Sequence, residues 1–277
     1  MTIVVMLCFA RSGGTVLNQC LGCLPNVLIL SEVNPLGGGS GKGNVSYQSV
    51  KEQAKNWYNI ELKSDYFVDN ILELETICAD SGRSLIVRDW TFVNFTPFIN
   101  NNWNPPNKLL TLEQLLGKSE LISFAFVRDS IDVWISRGTP DVKLFFDQYL
   151  RYVNELINNN IKFFKYERFC LNPQTSVYEI CKFTGLEYSE SFINYSQFPQ
   201  VNGDVQVSSR GQRQGKIKPL YRKLIAKDKI IAVNNCLEMI EANNLLGYPT
   251  SYYDVNRESI WLKSAKKIEQ VLFKFKP

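Results

Sequence analysis

The chain contains no histidine in 277 residues. Without an imidazole there is no Ser-His-Asp triad, no histidine general base and no histidine-ligated metal. Long apolar runs are also missing. Nothing approaches the roughly 18 consecutive apolar residues of a membrane-spanning helix, so no transmembrane segment is expected. Charge of one sign is scarce too: 31 Lys and Arg against 27 Asp and Glu leave a net +4. That surplus is too small to point to nucleic acid, and it is compatible with an anionic ligand. The seven cysteines are odd in number and lie mostly within apolar patterns. They read as reduced, buried thiols of a cytoplasmic protein. Cys20-x-x-Cys23 has no second pair and reads as helix packing, so no metal is expected. The first apolar run has no basic flank and runs straight into Arg11, which argues against a signal peptide.

What is present is an ordered globule, 45% hydrophobic and 13% aromatic. Thr2 to Ala10 (TIVVMLCFA) reads as a buried strand, followed by Arg11-Ser12-Gly13-Gly14-Thr15 and then a helix from Val16. Strand, glycine turn and helix aim backbone N–H groups at an anion, and the helix N-terminus and Arg11 add positive charge. A plain tight turn would explain the same letters, but a second basic turn at Arg128 favours the anion site.

Further strands are expected at Val27–Leu30, Ser84–Val87, Leu121–Val127 and Ile161–Lys165. Helices are expected at 47–58, at 65–80 with Ser64 as N-cap, at 129–137, at 142–158, from Asn172-Pro173 to Gly185, and at 228–244. Strands alternating with helices predict an α/β fold, a single domain with a mostly parallel five-stranded sheet flanked by helices. That domain is expected to run over 1–255, with a basic amphipathic helix appended at 256–277. Arg11, Glu32, Arg88, Arg128 and Tyr166-Glu167 each follow a strand, where ligands of such sheets bind. The glycine-rich stretch Pro35–Asn44 misses both nucleotide motifs. The Walker spacing places Leu36 at its first glycine and Gly43 at its hydroxyl, and the dinucleotide spacing places Asn44 at its last glycine. It reads as a flap in which Lys42 contacts an anion.

Several segments resemble the 3′-phosphoadenosine 5′-phosphosulfate (PAPS)-dependent sulfotransferases, which have a P-loop-like architecture. Arg11-Ser12-Gly13-Gly14-Thr15-Val16-Leu17 is similar to their 5′-phosphosulfate loop P-R-S-G-T-T-L-L. Arg128 to Arg137 is similar to their 3′-phosphate motif R-D-P-x-D-x-x-x-S-R. Tyr166-Glu167-Arg168-Phe169, with Asn172-Pro173 and Phe183-Thr184-Gly185-Leu186, resembles their Y-E-D-L…P…F-L-G-L segment. Ser208 to Gly215 resembles their late R-K-G-x-x-G loop with the glycines one residue further apart.

The resemblance implies that Arg11 and the amides of Ser12, Gly13, Gly14, Thr15 and Val16 hold the 5′-phosphosulfate. It implies that Arg128 and Ser136 hold the 3′-phosphate, that Tyr166 positions the nucleoside, and that Arg210, Gly211 and Arg213 belong to the late basic loop. Phenol- and steroid-sulfating members use a histidine base. Other branches use a glutamate after the second strand, and Glu32 occupies that place. Arg88 would stabilise the sulfuryl group, bind an anionic acceptor, or pair with a carboxylate such as Asp89. The implied function is transfer of a sulfuryl group from PAPS to an acceptor hydroxyl, with adenosine 3′,5′-bisphosphate as product. The acceptor is a carbohydrate, peptide, lipid or small metabolite, and Trp57, Trp90, Phe92, Phe95 and Trp103 are candidate lining residues. Two rival readings are a P-loop kinase-like nucleoside-phosphate transferase and a non-catalytic nucleotide-binding or scaffold protein.

Overall fold

The computed structural model describes residues 2–37, 48–97, 104–202 and 217–254. Five strands form one sheet: β1 (Thr2–Leu7), β2 (Val27–Val33), β3 (Ser84–Asp89), β4 (Glu120–Val127) and β5 (Lys162–Lys165). Their order is β2-β3-β1-β4-β5, and every pairing is parallel. β1 lies at the centre, with Val4 opposite Ile86 on one side and Ile122 on the other. Strands buried on both faces need apolar residues at successive positions. Ile3 to Leu7 and Phe124 to Val127 meet that need and are buried throughout.

The helices are α1 (Gly14–Gly22), α2 (Val50–Tyr58), α3 (Phe67–Asp80), α4 (Leu110–Leu115), α5 (Ser130–Ser136), α6 (Val142–Asn158), α7 (Tyr166–Leu171), α8 (Pro173–Thr184), α9 (Lys227–Asn234) and α10 (Leu237–Leu246). Two compact units emerge: Met1–Arg128 with Asn154–Lys218, and Asp129–Val153 with Pro219–Pro277. The first holds the whole sheet. Its core joins Leu17, Cys20 and Leu21 of α1 to Met6, Phe124 and Phe126 of the sheet and to Phe169 and Ile180 of α7 and α8. The second is built on aromatic residues of α5 and α6. Trp134 packs on Phe146 with ring centres 6.1 Å apart, and Phe145 stacks on Tyr149 at 5.9 Å.

Four local expectations are corrected. β1 ends at Leu7, not Ala10, because the chain turns there and Ser12 N–H bonds back to Phe9 C=O at 3.2 Å. Ser64 does not cap its helix: its hydroxyl accepts from Tyr66 N–H and donates to Asp69, and the helix starts at Phe67. The stretch 228–244 is two helices broken at Asn235-Cys236, where Asn234 Oδ1 turns to accept Tyr252 N–H. β2 and β3 run past their expected ends at Leu30 and Val87, to Val33 and Asp89, so Glu32 and Arg88 stand in the last residues of these strands and not after them. Tyr166-Glu167 follow β5 as expected and open α7. By contrast, α6 has the expected bounds, and Pro173 stands in the first turn of α8 with Gly185 left-handed at its end. No helix among the described residues is long and apolar enough to cross a membrane.

Candidate functional site

The centre of the sheet's carboxyl edge is the turn from β1 into α1. Arg11 adopts φ +77° and Gly13 +87°, so the chain reverses sharply before Gly14. The first N–H groups of a helix have no partner within it. In α1 Val16 N–H returns to Gly13 C=O, and the amides of Gly13 and Gly14 precede that bond. Ser12 is 1% exposed, and its hydroxyl has no hydrogen-bond partner. A buried hydroxyl without a partner beside a helix N-terminus suits an anion that would complete it.

The two glycines are required for different reasons. A Cβ on Gly13 would stand 2.4 Å from the Tyr166 ring, and its backbone is left-handed. A Cβ on Gly14 would stand 2.8 Å from Cys8 Sγ and 3.1 Å from Arg88 Nε. Cys8 is thus part of the turn's wall. Burial pushes its thiol up to about 12 against the pull of Arg88, so it is a neutral packing group.

On one side of the turn, β3 delivers Arg88 to Glu32 at the end of β2. Arg88 Nη2 donates to Glu32 Oε1 at 2.5 Å, with side chains 5% and 13% exposed. The same guanidinium reaches Ser31 Oγ at 3.2 Å and Thr15 Oγ1 at 3.5 Å. The carboxylate that pairs with Arg88 is Glu32 and not Asp89. Asp89 is fully buried and accepts from Asn34 and Thr111; burial pushes its carboxyl up to about 6. Asp89 is therefore a structural group with no route to a substrate.

On the other side, β4 delivers Arg128 and β5 leads into Tyr166. Arg128 is 8% exposed, donates to Arg11 C=O at 3.3 Å, and lies 4.8 Å from the centre of the Tyr166 ring. The structure thus joins Arg11, Ser12, Gly13, Gly14, Thr15, Glu32, Arg88, Arg128 and Tyr166 into one constellation. Val16 is buried in α1. Ser136 is the last residue of α5, in the second unit. Lys42, Trp103, Arg210, Gly211, Arg213 and the segment 256–277 lie outside the described residues. Trp90, Phe92 and Phe95 are core residues, and Trp57 is half-buried on α2.

Three residues of the site carried no signal in the sequence. All three, Ser31, Gln53 and Asn202, are buried; the Gln53 amide bonds the Ser31 backbone, and Asn202 N–H donates to the Ser31 hydroxyl. Only an unusual burial of polar side chains distinguishes them, and that is visible in three dimensions alone. None of the seven cysteines forms a disulfide, and six of them are buried. Among the described residues, no group of three or more Cys, Asp or Glu is placed to hold a metal ion.

No family model matches the chain, and no curated protein does. Solved structures do. It is similar to the sulfotransferase domain of the curacin biosynthetic pathway at 15% identity and TM-score 0.54, covering 90% of this chain and 98% of that one. It is similar to the sulfotransferase domain of the Synechococcus PCC 7002 olefin synthase at 16% identity and TM-score 0.55, covering 90% and 95%. The chain therefore has the α/β fold of these sulfotransferase domains.

Proposed function

We propose that the protein is a PAPS-dependent sulfotransferase. The observation that carries this reading is the joining of two basic turns, Arg11 and Arg128, across one glycine loop at a helix N-terminus. One cluster of backbone N–H groups suits a terminal anion, and a second arginine beside Tyr166 suits another phosphate and a flat nucleoside. The fit is supported by Ser12, whose buried hydroxyl lacks a partner, and by Gly13 and Gly14, where a side chain would close the cradle. PAPS supplies an activated sulfuryl group with a bisphosphate leaving group.

The residues of the chain account for the rest. The loop amides, Ser12, Thr15 and Arg11 hold the 5′ end and neutralise charge that shifts toward the leaving oxygen. Arg128 binds the 3′-phosphate, and Tyr166 packs along the nucleoside. Glu32 takes the proton of the acceptor hydroxyl as oxygen attacks sulfur and the bond to the bisphosphate breaks. Arg88 engages Oε1 of Glu32 and leaves Oε2 for that proton. Arg88 also touches Thr15, so it spans the base and the phosphosulfate loop. Catalysis then rests on position and preorganised charge.

The test is ligand preference. Adenosine 3′,5′-bisphosphate raises the melting temperature more than ATP or 5′-AMP at equal concentration. At a hundredfold excess over Kd, mass action gives about 2.7 kcal/mol. Arg128→Ala removes the preference for the 3′-phosphate and keeps the fold. An equal shift with ATP, in wild type, overturns the reading in favour of a kinase-like transferase.

A further inference from the structure

Among the described residues β2 is an edge strand, and its outer N–H and C=O groups face no neighbouring strand there. Helix α2 answers them with two side chains. The Tyr58 hydroxyl accepts Ile29 N–H at 3.2 Å and donates to Ile29 C=O at 2.7 Å. The Gln53 amide accepts Ser31 N–H at 2.8 Å, donates to Ser31 C=O at 2.8 Å, and donates to Gln48 C=O at 3.0 Å. Ile29 and Ser31 are alternate residues of the strand, so the helix serves the edge as a further strand would.

Ser31 is held at more points than Ile29. Its Oγ also accepts from Arg88 Nη1 at 3.2 Å and from Asn202 N–H at 3.1 Å. The next residue is Glu32, at φ +53°, and the β2–β3 register shifts between Leu30 and Val33. A glutamate in left-handed backbone persists only where its surroundings over-determine it. Gln53 supplies two of the bonds that fix the residue before the kink, and it is fully buried. Gln53 touches no group of the phosphosulfate loop in any contact described above.

We propose that Gln53 is a positioning residue that sets the kink at Ser31-Glu32 and so places the Glu32 carboxylate on Arg88. The proposal rests on reading Glu32 as the base. Gln53→Met keeps the volume of the side chain and removes its bonds. Tyr58→Phe removes the matching bonds two residues upstream and reports what a merely structural edge contact does.

Amide hydrogen exchange and turnover are measured on both variants. Gln53→Met speeds exchange at Ser31 roughly tenfold, as expected for one lost buried bond. Tyr58→Phe speeds it at Ile29 and leaves Ser31 protected. With PAPS and a panel of p-nitrophenol, glucosamine and a tyrosine peptide, Gln53→Met lowers kcat roughly tenfold to a hundredfold. Its KM for PAPS and its affinity for adenosine 3′,5′-bisphosphate stay within about twofold of wild type, and Tyr58→Phe keeps kcat. Should Gln53→Met fail to fold, Gln53→Glu keeps the acceptor of Ser31 N–H and loses the donor to Ser31 C=O and Gln48 C=O, so it is read by kcat against bisphosphate affinity alone.

The proposal is overturned if Ser31 exchange is unchanged in Gln53→Met. It is also overturned if kcat and bisphosphate affinity fall together in both variants. Faster Ser31 exchange, with no turnover by wild type on any acceptor, upholds the clamp and overturns the transfer reading instead.

Discussion

Among the described residues, Arg11 and Glu32 are the charged ones held at positive φ, and both belong to the site. Most other non-glycine residues in that region are asparagines, which tolerate it. Strain at two charged residues is the local mark of a built site. Gly14 is a different case, because its backbone is ordinary and only space forbids a side chain. The phosphosulfate loop it resembles carries threonine there, and Cys8 with Arg88 fills that volume here. Gly14→Thr in the native background therefore costs about 1–3 kcal/mol of overpacking. Adding Cys8→Gly opens room and recovers part of that loss, which a double-mutant cycle in urea reads as coupling. Additivity within about 0.5 kcal/mol would show that the two positions do not share the space. At this scale the sequence was informative about charge and silent about shape. Arg11, Glu32, Arg88 and Arg128 announce themselves as charges ending apolar runs. The Cys8–Gly14 exchange does not, since the two positions meet only after the chain turns.

At the scale of elements, apolar runs located all five strands, and Asp129 ahead of Ser130 located a helix start. The Asp129 carboxylate accepts Ile131 N–H at 3.0 Å, as an N-cap does. Its second role was not legible. Arg222 Nη2 meets Asp129 Oδ2 at 2.5 Å, and Arg222 Nε meets Asp132 Oδ1 at 3.0 Å, with all three side chains largely buried. Arg222 also donates to the C=O groups of Ser251 and Tyr252. It comes from the stretch 217–226, which forms no regular element and carries no periodicity. Burial pushes Asp129 up, against the pull of Arg222. Removing the cation leaves two carboxylates facing each other out of water. Arg222→Met accordingly destabilises the protein by about 3–5 kcal/mol, measured by urea unfolding. Asp129→Asn in the same background restores part of it. A loss below about 1 kcal/mol would place the triad among weak surface pairs. The same dependence on distant partners explains the split at Asn235-Cys236: the apolar pattern continues, but Asn234 is diverted to Tyr252.

For the molecule as a whole, fold class was readable from alternation, whereas strand order was not, because order depends on which side each crossover takes. The order β2-β3-β1-β4-β5 puts β1 between strands reached in opposite directions, and ligands of parallel sheets sit at such a switch. The site's charges lie there, and one further carboxylate, Asp89, is sealed beneath them with hydroxyl and amide partners only. Its proton balance is a property of the entire fold. Burial raises its folded pKa from an ordinary 3.8 to about 6. Below the unfolded value both states hold the proton, and the favourable contribution is complete. Between the two values the native state keeps a proton that the unfolded chain has lost, so stability falls as pH rises. Above about 6 the loss is complete, and a shift of this size amounts to about 3 kcal/mol. Other carboxylates add their own slopes, so the measurement is a difference between two proteins. Asp89→Asn keeps an acceptor for Asn34 and Thr111 and cannot ionise. Its stability relative to wild type therefore rises from pH 4 to pH 7 by about 2.4 kcal/mol, read from urea unfolding at each pH. A flat difference curve would mean that Asp89 titrates alike in both states, and that the sheet's carboxyl edge admits water to it.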